Sequence, residues 1–161
     1  FKLNLEKVLA DQKKGVVTKS GNLTLISSKG KVLRKGILEG IVNGAWGVSI
    51  DGQDNVFASD FLGSGFAKIC GTSEDNCPAY HATGDLIHLY QSGIIQKVTD
   101  TMIDDAGNVW IANNWDYLPA LVDADPDRRM ATRGGGTGIT VIYGIASPVL
   151  NPLIGQVRRP E

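Results

Sequence analysis

Histidine and cysteine are scarce in this chain, two of each in 161 residues. A zinc site built on Cys70 and Cys77 needs two further ligands, and only His81 and His88 lie near them, without a metal-binding spacing. No window reaches eighteen uninterrupted apolar residues, so no membrane span is expected, and no charged-then-apolar leader opens the chain. Sixteen Lys plus Arg oppose seventeen Asp plus Glu; the net charge of −1 provides no long-range field to attract nucleic acid or an anionic membrane. A P-loop, a dinucleotide glycine fingerprint, a helical HExxH pair and a nucleophile elbow are all missing. The Gly-rich stretch at 133–138, RGGGTG, has no strand-to-helix context and reads as a loop end.

What is present is glycine, twenty residues of it, with short runs such as Leu-Thr-Leu-Ile and Ile-Thr-Val and only 7% aromatics. Short strands and tight turns have this composition, and all-β is the fold class it predicts. Cys70 and Cys77 bracket Gly, Ser, Asp and Asn in CGTSEDNC. That spacing suits a disulfide closing a small surface loop, with two unrelated buried thiols as the alternative, and a disulfide favours an oxidising compartment, secreted or periplasmic. The chain begins at Phe1 rather than Met, as expected of a processed product, a fragment or a late start.

Residues 1–15 carry Leu3, Leu5, Val8 and Leu9 at helical spacing, and 1–19 are expected to form an N-terminal arm or the remnant of a preceding repeat. From Gly21 the period changes. NLTLIS and SKGKVL read as two strands of a hairpin. Val48 and Ile50 then alternate with Ser49, DGQDN supplies a turn, and Val56 to Ser59 return as a second strand. GFAKICG and DLIHLYQSG supply a third and a fourth. At Val98 the unit restarts: Ile50-Asp51 matches Ile103-Asp104, and Asn55-Val56-Phe57 matches Asn108-Val109-Trp110, each about 53 positions later. Four short strands repeating at forty to fifty residues is the arithmetic of a β-propeller blade, a sheet too small to bury its own faces. Two complete four-stranded blades and part of another are expected over 20–146, followed by a Pro-rich extended tail over 147–161. Propellers have four to eight blades, so the chain reads as a segment of a larger one, its remaining blades on the same parent chain or on a partner chain.

Gly47, Ile50, Asp51, Asn55, Val56, Phe57 and Asp60 in one copy, with Ile103, Asp104, Gly107 to Trp110, Ala112 and Asn113 in the other, resemble the blade motif of the NHL-repeat and virginiamycin-B-lyase-like propeller superfamily. The tail ASPVLNPLIG is similar to the C-terminal ends of exported bacterial propellers of this kind. In a propeller the loops entering the innermost strand and leaving the second gather at one mouth of the central channel. That logic places Trp46, Ser59, Asp60, Asn113, Asn114, Trp115 and Asp116 at the mouth, where aromatics beside amides and carboxylates suit a small molecule, a glycan or a peptide. Asn113 also has a structural reading as a strand cap, and Trp110 is expected between blades, where its truncation would cost about 3–5 kcal/mol.

Asp123, Asp125 and Asp127 alternate as the first half of a calcium loop does. Arg128 stands where that loop needs its sharp-turn Gly, and Gly134 where it needs its bidentate Glu. A solvated acidic loop paired with Arg128 and Arg129 is the better reading, with calcium the alternative and no other cofactor implied. Lyases of the resembling superfamily use a catalytic His with a metal, and neither His81 nor His88 stands in a matching loop. The expectation is an extracytoplasmic ligand-binding or protein-assembly module with no evident catalytic site. A propeller enzyme, a lyase or hydrolase acting on a cyclic or glycosidic substrate with catalytic residues partly on missing blades, is the alternative.

Overall fold

A computed structural model of the chain describes residues 21–115 and 135–149. The described residues are all-β and form three antiparallel sheets. Strands β1 (Leu23–Ile26) and β2 (Val32–Ile37) make a hairpin. Strands β3 (Val48–Ile50), β4 (Val56–Asp60), β5 (Gly65–Ile69) and β6 (Leu86–Gln91) make a four-stranded sheet, and β7 (Lys97–Ile103), β8 (Val109–Trp115) and β9 (Gly135–Ile142) a three-stranded one. Within each sheet the strands pair in sequence order, so the topology follows from local turns. The expected arm at 1–19 and most of the expected tail, 150–161, lie outside the described residues.

The repeat seen in the sequence is a repeat of one turn. Asp51 Oδ1 accepts the backbone N–H of Gln53 at 3.0 Å and of Asn55 at 2.8 Å, while the Asn55 side-chain amide donates back to Asp51 Oδ2 at 3.1 Å. In the later copy Asp104 Oδ1 accepts from Ala106 and Asn108, both at 2.9 Å, and the Asn108 amide returns to Asp104 Oδ2 at 2.9 Å. A carboxylate at the first position and an amide at the fifth therefore close the hairpin on side chains as well as on backbone. The fourth position needs the left-handed region: Gly107 sits there at φ 78°, and Asp54 at φ 69°. Asp54 has a reason to be there. Its Oδ2 accepts the Thr72 N–H at 2.7 Å, the Thr72 hydroxyl at 2.6 Å and the Ser73 N–H at 2.9 Å, anchoring the loop that follows β5. That loop is closed by the Cys70–Cys77 disulfide, with Cα atoms 5.5 Å apart.

A second contact recurs at the other end of the hairpins. Asp60 Oδ1 accepts the Asn43 N–H at 2.6 Å, and Asn113 Oδ1 accepts the Gln96 N–H at 3.2 Å, the partners being 17 residues apart in both copies. Each ties the end of a repeat's second strand to the link that enters its first.

Two cores lie between the sheets. Ile37, Leu38, Val42, Ala58, Ala67 and Ile69 are buried between the first hairpin and the four-stranded sheet. Phe57, Phe66, Val98, Ile103, Val109 and Ile111 are buried between the four- and three-stranded sheets. Alternation along β4 sends Val56 and Ala58 to one core and Phe57 to the other, so this strand is covered on both faces. Ser49 and Thr101 hydroxyls meet at 2.8 Å across the second interface.

Residues 144–149 lie across both repeat turns. Ser147 N–H donates to Asp51 Oδ2 at 3.0 Å and its carbonyl accepts from Gly52 N–H at 3.2 Å. Ala146 N–H donates to the Gly107 carbonyl at 3.1 Å, and Gly144 N–H to Asn108 Oδ1 at 3.1 Å. Lys68 Nζ donates to the Ile145 carbonyl at 2.9 Å and lies 4.0 Å from Asp51 Oδ2. This segment, a turn and bends at 144–146 followed by 147–149, locks the two sheets together at their turn ends.

Two expectations change. The later repeat shows three strands among the described residues where four were expected. Trp110 is not a buried wedge: Phe57, its counterpart in the repeat, is fully buried, whereas Trp110 is 40% exposed with its indole N–H donating to Asp104 Oδ2 at 2.8 Å. Val109 and Ile111 face the four-stranded sheet, so alternation turns Trp110 to the opposite face, which no described sheet covers. Phe57→Ala is expected to cost about 3–5 kcal/mol in urea denaturation, and Trp110→Ala about 1–2 kcal/mol. Equal losses would place the two rings in equivalent surroundings and refute this assignment.

Candidate functional site

Trp46 stands just before β3, on backbone held from two sides. Ser59 Oγ accepts the Trp46 N–H at 3.0 Å and the Gly47 N–H at 2.7 Å, and the Ser59 N–H donates to the Gly47 carbonyl at 2.9 Å. Gly47 is required here, because a Cβ would stand 2.2 Å from Asp100 Oδ1 and 2.7 Å from the Thr99 carbonyl on β7. The Trp46 ring packs on Phe61, which follows β4, with centroids 5.0 Å apart, and on Trp115, which ends β8, at 6.3 Å. Phe61 and Trp115 meet edge to face at 5.6 Å. Phe61 is buried and Trp115 half-buried, while Trp46 is 61% exposed.

The structure thus brings Trp46 and Trp115 together and adds Phe61, which the sequence reading passed over. The signal for it was weak: the repeat puts Asn114 at its position, so the aromatic at the strand exit moves by one residue between copies. Ser59, Asp60 and Asn113 are buried beside the cluster with their polar atoms engaged inside the fold. Asp60 Oδ1 also accepts the Gly63 N–H at 3.1 Å. The Asn113 amide donates to the Ile94 carbonyl at 3.1 Å and to Thr140 Oγ1 at 2.6 Å. Asn114 is exposed. Asp116, like Asp123, Asp125 and Asp127 of the calcium reading, lies outside the described residues. Lys97 at the start of β7 donates to the Leu62 carbonyl at 2.9 Å and to Ser64 Oγ at 2.7 Å, which binds the two sheets on the flank of the cluster.

A cleft of about 390 Å³ opens elsewhere, between β1 and the face of β3. Leu25, Ile26, Val48, Ile50, Val56 and Ile69 line it, with Asp54 and Thr72 at its rim. Val48 and Ile50 are exposed, whereas their repeat counterparts Thr101 and Ile103 are buried under β3 and β4. The lining is mainly apolar, with Asp54, Thr72 and Thr83 among its polar members.

Among the described residues, no three His, Cys, Asp or Glu side chains gather as a metal site would require. His88 lies edge-on to Tyr90, centroids 4.4 Å apart, and His81 Nδ1 is 3.2 Å from the Ala79 carbonyl; neither approaches the aromatic cluster's strand ends. The displaced carboxylates are structural. The Thr72 hydroxyl, with the Thr72 and Ser73 amides, lowers Asp54. The Ala82 N–H and the Arg34 guanidinium, 3.1 Å away, lower Asp85. The Trp110 indole N–H and the Asn108 amides hold Asp104 down at about 2.

No protein-family model and no curated protein compared with this sequence matches it.

Because Asp104 is depressed in the folded state, its contribution to stability is present above the ordinary carboxylate pKa of about 4 and is lost as pH falls through about 2. An NMR titration of the Asp104 carboxyl should give a midpoint near 2, and Trp110→Phe, which removes the largest cause, should raise it. An unmoved midpoint would show that the indole does not hold the charge.

Proposed function

We propose that the three sheets are consecutive blades of a β-propeller, and that the chain is a segment of a larger ring acting outside the cytoplasm as a binding or assembly module. The observation that carries this reading is the unequal fate of equivalent faces. Phe57 on β4 is covered by the sheet that follows, and Trp110, the same position one repeat on, faces outward with Met102 and Ile139. Val48 and Ile50, which line the cleft beside β1, stay exposed where Thr101 and Ile103 are covered. A stack of repeated sheets whose last sheet leaves an apolar face uncovered among the described residues is a stack that continues. The remaining blades would lie on the same parent chain or on a partner chain.

The resemblance of the Ile-Asp and Asn-Val turn residues to the NHL-repeat and virginiamycin-B-lyase-like superfamily supports the same architecture. The disulfide supports a secreted or periplasmic location. The aromatic cluster at the ends of β4 and β8 corresponds to the mouth where such a ring takes a small molecule, glycan or peptide.

Native mass spectrometry of the protein from its source, before and after reduction, tests this together with acrylamide quenching. The expected result is a larger parent chain or a stoichiometric partner, a gain of about 2 Da on reduction, and a Trp110 that is shielded in the assembly and accessible in the 161-residue chain. A stable 17.2 kDa monomer whose Trp110 is already shielded would mean that the sheets close on themselves and would end this reading.

A further inference from the structure

We infer that the ligand of the Trp46 cluster is an uncharged saccharide, one pyranose ring stacked by its apolar face on the exposed indole. This rests on the reading of that cluster as a binding mouth. This tryptophan is 61% exposed, with its backbone N–H held by Ser59 Oγ and its ring backed by Phe61 at 5.0 Å and Trp115 at 6.3 Å. An open indole packed from behind loses less conformational entropy than a free one when a flat ligand is laid on it.

The ring geometry separates the ligand classes. An aromatic cage for a quaternary ammonium surrounds the cation with ring faces. Here the three centroids are only 5.0–6.3 Å apart, so the rings touch one another and enclose no space. A polyproline peptide docks in aromatic-lined grooves, and these contacts leave no slot between the rings. What remains is a single broad platform, the size and polarity of one sugar face. A hydroxyl acceptor for a ligand on the indole would be the exposed Asp100, whose Oδ1 lies against Gly47, next in sequence to Trp46, and accepts the Thr101 N–H at 2.9 Å. A carboxylate keeps lone pairs for more than one donor, so sugar hydroxyls can be accepted there while anionic ligands are repelled. Lys97 and Asp60 are already engaged within the fold, so neither commits the platform to a charged partner.

The test is a titration of the full chain with cellohexaose and chitohexaose, read by tryptophan emission and calorimetry, beside tetramethylammonium and a proline-rich peptide. Saccharide binding is expected in wild type and in Trp110→Phe, which lies on another face. Trp46→Ala should weaken it by about tenfold, and Asp100→Asn by a smaller factor, with circular dichroism unchanged in both because these side chains are exposed. Binding of tetramethylammonium or of the peptide, lost in Trp46→Ala, with no saccharide binding, would overturn the ligand class and leave the mouth standing. Saccharide binding that survives Trp46→Ala would overturn the platform. If no probe perturbs Trp46, both the ligand class and the mouth fail.

Discussion

The structure depends on a five-residue turn in which an aspartate and an asparagine hydrogen-bond each other and the backbone between them. Asp51 with Asn55, and Asp104 with Asn108, fix the register of the two hairpins that begin their repeats. Register then decides alternation, and alternation decides which side chains enter which core. A slip of one residue in the earlier turn would exchange Val56 and Ala58 with Phe57, and both cores would fail together. The same two aspartates receive segment 144–149, Asp51 through its carboxylate from the Ser147 N–H and Asp104 through its backbone carbonyl from the Val149 N–H, so one device sets register and clasps the sheets. The copies differ in one respect. Asn108 Oδ1 accepts the Gly144 N–H, whereas buried Asn55 Oδ1 has no partner among the described residues, its polar satisfaction resting on the amide nitrogen alone.

This dependence explains what could be read in advance. The turn is written in five consecutive residues, Asp and Asn at its ends, and the strands on either side are written in alternation; both are local, and strands β1 to β8 were anticipated, whereas Gly135 to Gly138, read as part of a loop end, open β9. Asp54 in place of Gly was visible too, though not its reason, because the partners Thr72 and Ser73 are brought to it only when the disulfide loop folds back. The surroundings of Trp110 were not legible. Its sequence context matches that of Phe57, and what separates them is whether another sheet follows, which no local pattern encodes. Phe61 was missed for the reverse reason, since its role comes from contact with two tryptophans far away in sequence.

Residues that look like ligand groups in the sequence turn out to be spoken for. Ser59, Asp60 and Asn113 are polar and placed at strand ends, Asp60 and Asn113 at the same position of the two repeats, the features expected of a binding rim. Each meets backbone N–H groups of the link entering the same repeat's first strand. A link that crosses from one sheet to the next leaves its N–H groups without strand partners, and burying them unmet would cost about 1–3 kcal/mol each. Polar side chains at the strand ends are therefore required by the topology, whatever the protein binds.

That requirement sharpens the significance of what is left over. Once the carboxylates and amides are assigned to turns, links and the clasp, the side chains near the strand ends that still need an explanation are aromatic. Phe61 is explained by burial and Trp115 by its half-burial against Phe61. Trp46 is not: satisfying the link requires only its backbone N–H, which any residue supplies. Its ring contributes little to the core while leaving most of its surface in water, at a place where Gly47 draws β7 and Asp100 close. A large apolar side chain packed from behind and left exposed by a fold that does not need it is the feature on which the proposed recognition rests.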